Sequence, residues 1–179
     1  IDHIGRGTVS DSGSYNLDEW MAEVQARQQA KPKPATASPP EGYNADLLAL
    51  IPPGAQRIAE VGCSTGALAH ALKLQRPGVH YRGLELDPKA AALAARHCDE
   101  VLSLDIEQQG ADFWRAQSDR DCWVFGDVLE HLRDPWRVLG LIREHLPSGG
   151  SVVVCVPNAQ HWSLQGRLAV GDFRYEADG

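Results

Sequence analysis

The stretch Glu60-Val61-Gly62-Cys63-Ser64-Thr65-Gly66 decides how this chain is read. It closes a short apolar run, Arg57–Val61, and opens onto the apolar, helix-forming residues Ala67–Leu74. Such a run bounded by glycine reads as a buried strand, and the switch of period behind it reads as a helix. Gly62 permits a tight turn, and Gly66 would let a ligand approach the backbone closely. The helix that follows offers unpaired N–H groups at its start. Taken alone, the segment is equally an ordinary strand-to-helix turn, so its meaning rests on its surroundings.

Outward from it the pattern alternates. Asn44–Leu50 reads as a short helix stopped by Pro52-Pro53-Gly54. Strands are expected at Val79–Leu84, Val101–Leu104, Cys122–Phe125 and Ser151–Val156, after the first at Arg57–Val61. Helices are expected at Ala67–Leu74, Pro88–His97, Gln108–Gln117 and Pro135–Leu146; the second and last carry proline in the first turn, where its missing N–H costs nothing. The continuous valines of the last strand predict burial on both faces. Strands alternating with helices imply right-handed βαβ crossovers, hence an α/β fold with an open, doubly wound, Rossmann-like parallel sheet.

In such sheets ligands bind beyond the carboxyl ends of the strands, where strand order reverses. The residues just after each strand are therefore the candidates. Glu60 and Gly62–Gly66 stand at the end of the first strand, Glu85 and Asp87 follow the second, and Asp105 the third. Asp127, Glu130 and His131 follow the fourth; Asn158 and His161 follow the fifth. A carboxylate at Glu85 can accept both hydroxyls of a ribose. One at Asp105 can accept from an exocyclic adenine amine. Glycine loop, ribose acid and adenine acid, in that order, describe an adenosine site.

Composition narrows the class. The net charge over 179 residues is −7, and no basic stripe is visible, which argues against nucleic-acid binding. No apolar run approaches the roughly 20 residues of a membrane helix, and no signal peptide is visible, so membrane and secreted classes are set aside. Cys63, Cys98, Cys122 and Cys155 lack metal-ligand spacing, so no metal is expected; they fit small core residues of a reduced, cytoplasmic protein. Residues 1–42 read as an N-terminal helix with the stripe Leu17, Trp20, Met21 and Val24, followed by the proline-rich linker Lys31–Pro40. The domain proper is expected over residues 43–179, with the N-terminal helix as a lid or a packing arm.

Four segments carry a family resemblance. Glu60–Leu68 resembles motif I of the class I S-adenosylmethionine-dependent methyltransferases, and Gly83–Pro88 resembles the segment that follows it. Phe125-Gly126-Asp127-Val128-Leu129-Glu130-His131-Leu132-Arg133-Asp134-Pro135 is similar to the strand-four motif of the small-molecule, ubiquinone-biosynthesis-like branch. Leu146–Gly150 with the valine strand and Pro157-Asn158 is similar to that branch's later motif. The resemblance covers roughly residues 43–175 and is specific to the superfamily, not to a substrate. It implies S-adenosyl-L-methionine as cofactor. Glu60, Gly62, Cys63, Ser64, Thr65 and Gly66 would hold the methionine end, Glu85 and its neighbour Leu86 the ribose, and Asp105 with Ile106 the adenine. Asp127, Val128 and Leu129 would line the sulfonium and methyl side. Ser64 departs from the pattern, standing where the family has glycine, and its backbone cannot take positive φ cheaply. The resemblance also implies a C-terminal antiparallel hairpin, which is absent from this sequence. That leads to the expectation of a longer chain, or of an edge strand Val152–Val156 covered by a second copy, a further domain or the segment Leu17–Val24.

The implied reaction is in-line methyl transfer to a small-molecule or glycan/lipid-precursor acceptor, driven mainly by proximity. A general base would be a histidine, with His131 first and His161 second. Trp162, Phe173 and Tyr175 wall an acceptor pocket or belong to the core, with nothing in their spacing to choose. Three rivals remain. A catalytically degenerate methyltransferase-like domain would bind partners. A nicotinamide-dependent oxidoreductase also wants a glycine loop and a ribose acid. An α/β-hydrolase is suggested by the literal G-x-S-x-G at Gly62–Gly66, but it leaves Glu85 and Asp105 without a task.

Overall fold

A computed structural model describes residues 42–172, all within the unit Pro39–Gly179. The expected N-terminal helix, the proline-rich linker, Phe173 and Tyr175 lie outside the described residues.

The sheet is built from β1 (Arg57–Val61), β2 (His80–Glu85), β3 (Glu100–Ser103), β4 (Cys122–Gly126) and β5 (Ser151–Cys155). Every pairing is parallel, and the order is β3-β2-β1-β4-β5. The helices are α1 (Ala45–Leu50), α2 (Ala67–Gln75), α3 (Pro88–Ala94), α4 (Ala111–Arg115), α5 (Pro135–His145) and α6 (Trp162–Ala169). Their starts follow from local chemistry. The Asn44 side chain accepts from the N–H groups of Asp46 and Leu47, and Asp87 and Asp134 cap α3 and α5 just before a proline.

Strand alternation divides the core in two, one cluster on each face. Ile58, Tyr81, Val124 and Val153 pack with Leu47, Leu68 and Leu72 of α1 and α2. Ala59, Val61, Leu84, Trp123 and Phe125 pack on the other face with Trp114 of α4 and with Val138 and Ile142 of α5. Asp121 ties the strand starts together, its two oxygens accepting from the backbone of Gln56 and Arg57. Cys63, Cys98 and Cys122 are buried, and Cys155 is partly exposed.

Three expectations need correction. The helix expected over Gln108–Gln117 is a 3₁₀ turn, Ile106–Gln108, and the short α4, because Gly110 between them is fully extended. The helix expected to run to His97 ends at Ala94, where the chain turns so that the Asp99 N–H can bond to the carbonyl of Tyr81. The valine strand is not buried on both faces. Val153 is 7% exposed, but Val152 and Val154 are 37% and 38% exposed. Their register with Trp123 and Phe125 puts them on the α4–α5 face, beyond the reach of those helices among the described residues. Also among the described residues, no helix is long and apolar enough to cross a membrane.

Candidate functional site

Strand order reverses between β1 and β4, so the loops that leave these two strands flank a crevice. They touch. A Cβ placed on Gly62 would stand 2.4 Å from the Val128 Cγ2, and Gly62 itself has φ +72. Only glycine fits there on both counts. Two hollows open on either side of this contact, and Gly62 lines both.

The larger hollow, about 320 Å³, lies over the ends of β2 and β3. Glu85, Leu86, Asp105 and Ile106 line it, as do Val128 and His131. The Glu85 carboxylate is fixed from two sides: Ser64 N–H donates to Oε2 at 2.8 Å and Asp87 N–H to Oε1 at 2.9 Å. Each oxygen keeps a lone pair for a further donor. Asp105 is turned inward on its own chain, with Oδ1 accepting from Glu107 N–H at 2.9 Å and Oδ2 from the Gln108 amide at 2.8 Å. Glu107 in turn accepts from the N–H groups of Arg133 and Asp134, which pins the segment between β4 and α5 against the hollow.

The smaller hollow, about 170 Å³, lies between the glycine loop, the start of α1 and the end of β4. Glu60, Cys63, Ser64, Thr65 and Asp127 line it, joined by Tyr43 and Asn44. Glu60 is 6% exposed and accepts the hydroxyl of the buried Tyr81 at 2.9 Å. Burial pushes its carboxyl up to about 8, with Tyr81 opposing and Glu85 adding to the rise. The Tyr81 hydroxyl is pushed well above its usual range, by burial first and by Glu60 next. The Cys63 thiol is raised by its hydrogen bond with Cys98 and then by burial, and a side chain at Gly83 would collide with Cys63 Sγ at 2.5 Å. Asp127 takes φ +54, its N–H held by the Cys155 carbonyl at 3.0 Å, while Cys155 Sγ faces Asp127 Oδ1 at 3.6 Å.

Most of the residues expected from sequence are brought to one hollow or the other. Gly66, Leu129 and His161 are not. Gly66, at φ +80, turns the chain into α2, and the backbone that approaches it is that of Ala94, 3.0 Å from where a Cβ would stand. Its reason for being glycine is thus helix packing. Leu129 packs into the α4–α5 side of the core. His161 caps α6, with Nδ1 facing the Ser163 N–H and hydroxyl at the exposed surface. Trp162, beside it, is 48% exposed and so is no core residue of the described chain. Ser64 does take positive φ, +48, because its N–H is drawn to Glu85. Tyr81, Tyr43 and Asn44 escaped the sequence reading. Asn44 reads in the sequence as the first residue of the helix that it in fact caps, and only the sheet register brings Tyr81 to Glu60.

The methyltransferase domain family matches residues 59–152, from the first strand of the sheet to the last. The chain belongs to this family, the class I S-adenosylmethionine-dependent methyltransferases. It is 34% identical over 139 residues to the trans-aconitate 2-methyltransferase of Deinococcus radiodurans, covering 75% of this chain and 52% of that protein. It is 28% identical over 118 residues to the ubiquinone biosynthesis O-methyltransferase of Cereibacter sphaeroides, covering 65% and 47%. The chain therefore spans about half the length of the curated relatives it matches. The plantazolicin methyltransferase BpumL, solved in complex with SAH, superposes with a TM-score of 0.56 at 14% identity, over 73% of this chain and 49% of that one. That likeness shows the fold. Membership in the family removes the oxidoreductase and hydrolase readings.

Proposed function

We propose that this domain binds S-adenosylmethionine across the two hollows and serves a methyl transfer to a small-molecule acceptor. The observation that supports this best is the pair of hollows meeting over Gly62, with a carboxyl in each. The residues fit the donor. Glu85 has one free lone pair per oxygen at the mouth of the larger hollow, as two neighbouring hydroxyls require. Gly62 lets the two strand-end loops close on each other where any side chain would collide with Val128.

Glu85 holds the ribose, with Leu86 against it. Asp105 and Ile106 flank the adenine, and His131 closes the same wall. Its place on the adenosine side makes it a wall residue rather than a base for the acceptor, and His161 is engaged as a helix cap. Glu60 and Cys63–Thr65 receive the methionine end. Asp127 and Val128, at the seam between the hollows, face the sulfonium side. When bound, the donor supplies an electrophilic methyl group. The chain's part is to fix its orientation and exclude water, which contributes the proximity that such displacements need. The relatives named for ubiquinone biosynthesis and trans-aconitate both act on small molecules, which supports a small-molecule acceptor here.

Titration calorimetry tests the reading. S-adenosylmethionine and S-adenosylhomocysteine should both bind, and NAD should not. Glu85→Ala should weaken both ligands by about 1.5–3 kcal/mol, the worth of a charge-assisted hydrogen bond in a partly buried site. Equal affinities in wild type and variant would remove Glu85 from the donor site.

A further inference from the structure

The carboxyl of Glu60 stands in surroundings that do not suit an anion. It is 6% exposed, beneath the smaller hollow. Its hydrogen-bond partner is Tyr81, from β2. Glu85, at the end of β2, is close enough to repel it. Asp127, at the end of β4, lines the same hollow, and the thiols of Cys63 and Cys98 complete the titratable set around Tyr81 and Glu60. From α1 and α2 come Leu47 and Leu68, and from the start of α1 the neutral Asn44. None of the ion pairs between described residues involves Glu60. A buried carboxylate without a cation costs several kcal/mol, and the cheaper state is the neutral acid. Yet the ligand assigned to this hollow brings positive charge there, in an ammonium and a sulfonium.

We propose that Glu60 stands as a neutral carboxylic acid in the donor-free domain and releases its proton to solvent as the cationic end of the donor enters, with Tyr81 as the residue that positions the carboxylate so formed. The inference rests on the proposed donor site. The O–H bond of the acid breaks, the proton passes to water or buffer, and the carboxylate accepts from the Tyr81 hydroxyl and the incoming ammonium. The buried carboxyl's preference for its proton up to about pH 8 agrees with this. Donor binding is then coupled to pH through one named group. Loss of the sulfonium charge on transfer removes part of what keeps the acid ionised, so proton re-uptake favours departure of the neutral thioether product.

The test is calorimetry of S-adenosylmethionine binding between about pH 5.5 and 6.8 in buffers of different ionisation enthalpy, where the donor's own α-amine keeps its proton. Close to one proton should be released per donor, and affinity should rise about tenfold per pH unit, as linkage to one proton requires. Glu60→Gln should release none and bind with a flat profile. Tyr81→Phe should bind more weakly than wild type at pH 7 and recover as pH rises, which a merely structural defect would not do. Infrared difference spectra of the wild-type protein give a reading independent of any variant: a protonated-carboxyl band should vanish on adding donor. Tight binding with no proton release and no loss of that band overturns the inference and leaves the donor site standing. Absence of binding overturns both.

Discussion

Among the described residues, two that are not glycine hold positive φ, Ser64 at +48 and Asp127 at +54, and both line the smaller hollow. Left-handed backbone costs an L-residue about 1–2 kcal/mol, and replacing it by glycine returns about 0.4–1 kcal/mol of unfolded-state entropy to the other side. Ser64→Gly should therefore raise stability by roughly 0.5–1 kcal/mol in urea unfolding, with the N–H at position 64 still free to reach Glu85. A drop in midpoint would show that the serine side chain holds the loop. Gly62→Ala runs the other way. Its Cβ would stand 2.4 Å from Val128 Cγ2 at φ +72, so the substitution combines strain with overpacking and should cost about 2–4 kcal/mol. Adding Val128→Ala should return part of that loss, since it clears the collision but not the φ. No recovery in the double variant would mean that backbone strain alone explains the cost.

At the scale of elements, β5 invites a comparison between neighbours. Val153 points into the α1–α2 side of the core at 7% exposure, while Val154 points to the other side at 38%. Val153→Ala should cost about 2 kcal/mol and Val154→Ala less than about 1, read from denaturation midpoints of this chain. Equal costs would mean that something covers the outer face in solution. The same strand shows where sequence reading ends. All five strands were legible to within a residue at each end, because buried parallel strands are apolar runs cut by glycine, proline or acid. Whether a valine run has one covered face or two is decided by the neighbours, and three valines in a row carry no mark of it. Gln108–Gln117 misled for a related reason: its helix-favouring residues hid the break at Gly110. Within the site, strand-end residues were legible because topology sends loops there. Tyr81 was not, because it lies mid-strand and reaches Glu60 only through the pairing of β1 with β2.

For the whole molecule, the strand order puts β1 and β4 at the centre and their carboxyl ends at the site, so the burial that stabilises the sheet also governs Glu60. Its carboxyl rises from 4.5 to about 8 on folding. Below the lower value the group is protonated folded or unfolded. Between the two, the unfolded chain loses the proton and the folded chain keeps it, so stability falls as pH rises, by on the order of a few kcal/mol, and levels off above the upper value. Asp99 works in the opposite sense. Burial raises its carboxyl, but Lys73 and the Tyr81 N–H more than offset this and hold it low, so its contribution is lost in acid. The melting temperature without donor should therefore peak on the acid side of neutrality, and Glu60→Gln should flatten the fall toward pH 8. An unchanged slope in that variant would place the titrating group elsewhere. The central position of β1 has one more consequence, in the exchange of amide hydrogens for deuterium. The β1 amides are held between two strands and open only when the sheet itself comes apart. A few residues on, the amide of Ser64 hangs on a side chain, Glu85, at the rim. Isotope uptake should change from days to minutes within that short span of chain, and occupancy of the hollows would be written there first, as a slow stretch that grows by a few residues toward α2.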